Sequence, residues 1–160
     1  MLSVEVLLVG PILGHDLARE ERAKALCDAL QETTDLNEQM ETRVEWVPDE
    51  LAQIRRAIRL ACDRSRLVLT FGSIGIQLRD HVPEATAELC ERRLPGLPEL
   101  MRLAGMEQSR LAALWRIEAG FRGRALVINL PAAEQAASVA LHAVMPLIPY
   151  LLEIRQSSWS

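Results

Sequence analysis

The chain has 160 residues, with 18 Lys and Arg against 22 Asp and Glu, a formal net charge of −4 and 49% hydrophobic residues. This fits one compact domain with a sizeable core and excludes a broad basic footprint for nucleic acid. No apolar run reads as a membrane span and the N-terminus lacks a secretory signal. Cys27, Cys62 and Cys90, like His15, His81 and His142, are too scattered for a zinc site, so reduced buried thiols of a cytoplasmic protein are expected.

The apolar run Val4–Val9 predicts a strand over 3–9, ended by Gly10-Pro11, and 13–16 is a loop. Residues 18–32 place Ala25, Leu26, Ala29 and Leu30 among charges, an amphipathic helix with Asp16 as its N-cap. After a polar turn over 33–40, Thr42–Val47 alternates as a second strand. Pro48-Asp49-Glu50 starts a helix over 51–64, buried along Ile54, Ile58 and Ala61. The run Leu67–Phe71 is a strand buried on both faces. Helices are then predicted over 83–93, 99–105 and 109–115, with a break at 94–98. An alternating segment at 116–122 suggests a short edge strand. A turn at Gly123 leads to a buried strand over 124–130 and a helix over 132–144. Pro146 and Pro149 limit the C-terminal segment, so the domain spans 1–155 and 156–160 is a frayed tail.

Strands alternating with helices predict a three-layer α/β/α fold on a mainly parallel sheet, with ligands beyond the carboxyl ends of its strands. The loops 10–16, 72–81 and 129–132 converge there, with Asp49 at the end of the second strand. In 72–81, Gly72, Ser73 and Gly75 would let backbone N–H groups face an anion. Arg79, Asp80 and His81 follow, and Pro83-Glu84 opens a helix. The same layout also suits a plain strand-to-helix connection in which Asp80 satisfies local N–H groups and Asp49 caps a helix.

The string from Leu67 to Pro131, with FGSIG, RDHVPEA, LPGLPELMR and VINLP in order, resembles the MoaB/Mog family of molybdenum cofactor biosynthesis, whose fold is shared with the gephyrin G domain. The turn VPDE at Val47–Glu50 resembles that family's Pro-Asp-Glu. The resemblance implies a molybdopterin-binding protein similar to molybdopterin adenylyltransferases, using ATP and Mg²⁺. It casts Asp49 and Asp80 as catalytic and metal-holding carboxylates. Gly72, Ser73, Gly75, Arg79, Glu84, Asn129 and Pro131 then become pterin- and nucleotide-binding residues, and Arg102 matches a family arginine. It also implies a homotrimer or hexamer, with no nucleic-acid or membrane partner.

The departures from the family pattern fall on the ligand loops. Gly-Gly-Thr-Gly has become Gly72-Ser73-Ile74-Gly75, which loses a hydroxyl donor and adds a Cβ. Val82 replaces a hydroxyl cap, Ala132 replaces a glycine, and Glu20 and Glu21 put negative charge at the first helix start. Reduced adenylyl transfer is therefore expected, with a non-catalytic homo-oligomeric module as one alternative and a scaffold unrelated to molybdenum as another. Leu97, Leu100, Met101, Leu103, Met106, Leu111 and Leu114 crowd one region, either as an oligomer interface or as a helix pair on its own sheet.

Overall fold

The structure, a computed structural model, describes residues 1–10, 17–33 and 38–157. The expected loop at 13–16, the Asp16 cap, much of the polar turn and the last tail residues lie outside them. The described residues form one sheet in the order β2-β1-β3-β6-β5-β4. Four strands, β1 (Leu2–Val9), β2 (Met40–Val47), β3 (Leu67–Phe71) and β6 (Ala125–Leu130), run parallel. β5 (Ala119–Arg122) and the two-residue β4 (Arg92–Arg93) add antiparallel at one side.

The helices α1 (Leu17–Thr33) and α5 (Glu134–Val144) pack together, as do α2 (Leu51–Arg64) and α3 (Val82–Leu89). α4 (Gly96–Met106) lies against α5. These are the layers predicted from the alternation of strands and helices. β1, β3 and β6 are buried on both faces because helices cover both sides, which explains their unbroken apolar runs. β2 is the outer strand, and its Glu41, Arg43 and Glu45 are exposed in alternation.

Several predicted boundaries move. The helix expected over 83–93 stops at Leu89, and Arg92-Arg93 form β4 against Gly120 and Phe121. That pairing depends on Gly120: a Cβ there would sit 2.5 Å from the Arg92 carbonyl oxygen. The segment predicted as an edge strand is therefore internal, with β4 outside it. Residues 109–115 wind as a 3₁₀ turn over Arg110–Leu114, capped by Ser109 accepting from the Leu111 N–H. Pro146 and Pro149 do not end the helical path, since a 3₁₀ turn at Met145–Leu147 leads into α6 (Ile148–Ser157).

Glu134–Arg155 has the length and mean hydropathy of a bilayer-crossing helix, contrary to the expectation from the runs of apolar sequence. Ala137, Ala140, Leu141, Val144, Ile148 and Leu152 are buried along it as one core-facing stripe, while Leu147, Tyr150 and Ile154 are exposed. Among the described residues, one charged side chain is buried inside the sheet: Glu5 on β1 is 1% exposed. It accepts from Arg64 at 2.7 and 3.3 Å and lies 3.9 Å from Arg43.

Candidate functional site

Parallel strands send their outgoing loops to one edge, so the carboxyl ends of β2, β1, β3 and β6 share a rim. The ladder runs just past the strand ends through Gly10 N–H to Val47 O (3.2 Å) and Gly72 N–H to Leu130 O (2.9 Å). Gly72 has φ +104°, and a Cβ there would meet the Val9 carbonyl at 2.6 Å, so only glycine fits. Ser73 has φ 57°, the one non-glycine residue with positive φ among those described. Such a conformation costs about 1–2 kcal/mol, and strain of this kind concentrates at functional loops. Ile74 is 5% exposed and packs in the core.

Arg116 fixes this loop. Its Nε donates to Gly75 O at 2.6 Å, its second guanidinium nitrogen to Asp80 O at 2.8 Å, and it pairs with the Glu84 carboxylate. Its backbone N–H donates to Ile74 O at 3.0 Å. Burial raises the Glu84 pKa, but the Arg116 hydrogen bond, the backbone and the nearby positive charges outweigh it and hold the carboxyl below its ordinary value. The Asp80 carboxylate accepts from the Gln77 N–H at 2.9 Å, the turn-stabilising role open to it from sequence. Arg79 is exposed at the tip of the same turn, beside Ile76 and Leu78. Next to this loop opens a cavity of about 660 Å³, lined by Glu84, Arg93, Arg102 and Arg116 among others. Arg102 is held there by donating to the Trp115 carbonyl at 3.1 Å.

Asp49 follows β2, and β1 separates it from the β3 loop that carries Asp80. Two strand spacings, about 9–10 Å, therefore lie between their strand ends. Asp49 does not cap α2, because Glu50 holds that position. Instead, its Oδ1 is buried without a hydrogen-bond partner. No group of three or more metal-ligating side chains exists among the described residues. Two carboxylates are nonetheless the usual protein share of a Mg²⁺ site completed by substrate phosphates, and the orphaned Asp49 oxygen suits that role.

Asn129 faces inward. It is fully buried, donates to the Thr70 and Thr86 hydroxyls at 3.0 and 2.9 Å, and accepts from the Glu118 N–H at 3.0 Å. It thus ties β3, β6 and α3 together beneath the rim. Pro131 is buried just beyond β6, and Ala132 approaches the Gly72 backbone.

Sequence reasoning singles out neither Arg116 nor Arg19. The Arg19 guanidinium donates to Val9 O at 3.1 Å and Phe71 O at 2.8 Å and stacks 5.3 Å from the Trp46 ring centroid. Trp46 in turn donates to Glu20 at 2.5 Å. An arginine near a helix start gives no sequence signal of such a role, because its partners come from three strands.

A doubly wound sheet with a glycine loop, a carboxylate turn and an arginine-lined cavity at one rim is the architecture of an α/β protein of the MoaB/Mog fold. The chain belongs to the family of probable molybdopterin binding domains, which matches residues 5–150. A molybdopterin adenylyltransferase of Helicobacter pylori is 38% identical over 155 residues, covering 96% of this chain and 87% of its own length. The molybdopterin biosynthesis enzyme MoaB of Thermus thermophilus has a structure matching at TM-score 0.80 and 37% identity, with 98% of each chain covered. A molybdopterin adenylyltransferase of Escherichia coli is 29% identical over 135 residues, covering 76% of this chain and 68% of its own.

Proposed function

We propose that this chain binds molybdopterin in molybdenum cofactor biosynthesis, with ATP-dependent adenylyl transfer weakened relative to its adenylyltransferase relatives. The observation that carries the reading is the loop from Gly72 to Glu84, clamped by Arg116 beside a cavity of about 660 Å³ with three arginines in its wall. A pre-formed loop of this kind spends little binding free energy on ordering itself. The names of the relatives support the ligand.

In adenylyl transfer, an oxygen of the pterin phosphate bonds to the α-phosphorus of ATP and pyrophosphate leaves. Like charges meet in that step, and Arg102, Arg116 and the loop N–H groups would offset them. Mg²⁺, when bound, would neutralise phosphate charge, with Asp49 and Asp80 as its protein ligands. The strained Ser73 and the inward-turned Ile74 favour the second reading, a non-catalytic binding module.

A cytoplasmic homotrimer completes the proposal. Of the crowded apolar residues, Leu97 and Met101 are core, whereas Leu103, Leu111 and Leu114 are 59%, 70% and 51% exposed. An apolar cavity of about 550 Å³ is walled by Leu97 and Leu100 of the same helix with Leu147 and Tyr150. A face of this kind suits burial against a second copy.

Calorimetric titration with molybdopterin, and separately with ATP and Mg²⁺, tests the function. Heat with both ligands supports the transferase. Heat with molybdopterin alone supports the binding module. No heat with either overturns the reading.

A further inference from the structure

In a sheet ordered β2-β1-β3-β6, the connections leave β1 and β3 in opposite directions. The crevice between the carboxyl ends of those two strands is the topological switch point, where open α/β sheets take their ligands. In this chain a side chain lies in it. The Arg19 guanidinium bridges Val9 O at the end of β1 and Phe71 O at the end of β3, and rests on Trp46 of β2. It also approaches the two rim glycines: an added Cβ would lie 3.3 Å from its nitrogen at Gly10 and 2.9 Å at Gly72.

The two neighbouring volumes differ accordingly. Beneath Arg19, the space between α1 and the start of α5 retains about 10 Å³, at the lower limit of what one water needs. Beyond β6, the cavity beside Arg116, walled by α3, α4 and the residues leading into β5, holds about 660 Å³. We infer that Arg19 is a specificity-determining plug, which closes the switch-point crevice to the ring of the ligand, so that the ring lies on the Gly75–Glu84–Arg116 side. This rests on the reading that a ligand occupies this rim.

Among the groups that Arg19 satisfies in the crevice are two main-chain carbonyl oxygens and an aromatic face. Such a lining takes a planar N–H donor, not a phosphate. The amino-pyrimidinone edge of a pterin is a donor of that class. To enter, it would have to displace two charge-assisted hydrogen bonds, and the apparent affinity falls by the fraction of molecules in which the crevice is open.

Two probes test the plug on the full chain. The first is methylguanidinium chloride. Arg19→Ala vacates the crevice, so millimolar methylguanidinium raises its melting temperature where equal sodium chloride does not, and the wild type shows no response. The second is molybdopterin, whose dissociation constant falls at least about tenfold in Arg19→Ala. Arg19→Met keeps the volume of the stem without its donors and carries the same comparison should the alanine variant not fold.

An empty crevice that ignores methylguanidinium overturns the proposal, as does a variant that binds molybdopterin no tighter than the wild type. If wild type and variants all fail to bind molybdopterin, the molybdopterin-binding function is lost, and the methylguanidinium response alone decides the plug.

Discussion

Arg116→Ala removes the clamp on the ligand loop. Two hydrogen bonds from a charged donor to main-chain carbonyls are lost, at 2.6 and 2.8 Å, together with the pair to Glu84. A buried bond to a charged group is worth about 1.5–3 kcal/mol. Arg116 is 37% exposed, so water replaces part of each bond, and the exposed ion pair adds about 0–1 kcal/mol. A total loss of about 2–4 kcal/mol results. For a chain of this size each kcal/mol lowers Tm by about 2–4 °C, giving a fall of roughly 5–15 °C in a thermal melt. The stability of a domain, about 5–15 kcal/mol, leaves the variant folded at 25 °C. Molybdopterin affinity should fall as well, because the loop must then be ordered by the ligand. Arg116→Lys keeps the charge but loses the fork, and should recover less than half of the stability. In a double-mutant cycle with Glu84→Gln the coupling should stay below about 1 kcal/mol. A Tm shift under about 2 °C with unchanged affinity would refute the clamp.

Ser73→Gly should stabilise the chain by about 0.5–1 kcal/mol in urea unfolding, since glycine adopts φ 57° without a Cβ clash, whereas adding Ile74→Thr should reverse the gain by burying a hydroxyl in the core. Glu5→Gln should cost about 1.5–3 kcal/mol by the same assay, because the buried carboxylate loses its charge toward Arg64. Burial pushes the thiols of Cys27, Cys62 and Cys90 up to about 12. Their folded pKa values exceed the unfolded ones, so their contribution is whole below about pH 8.5 and is lost as pH rises from there toward 12. A disulfide reagent at pH 8 should accordingly label the native thiols far more slowly than the unfolded chain. Leu103→Glu with Tyr150→Glu, both on exposed positions, should give a monomer by light scattering without loss of helicity.

The elements legible in the sequence are those whose partners hardly matter to the signal. Leu67–Phe71 announces a buried strand by composition alone, and Pro83 marks the start of α3. β4 is illegible because two arginines become a strand only where Gly120 lets a backbone come close. Asn129 reads as a rim residue from its position at the end of an apolar run. Its register opposite Thr70, with Thr86 above it, turns it inward, and register is a tertiary fact. Asp49 and Asp80 stand out through a resemblance, whereas Arg116 gives no signal because three of its acceptors lie more than thirty residues away.

The outermost strand β2 also bears on how the protein behaves in crowded solution. Along its free edge, alternate residues of the eight-residue strand turn their backbone N–H and C=O groups outward, a template on which another extended chain could grow. Glu41, Arg43 and Glu45 stand exposed along it, so a parallel, in-register copy would set each charge against its own kind. The charges act as a fence against fibrous stacking. Replacing the three with threonine would leave the monomer fold intact and shorten the time to turbidity on heating.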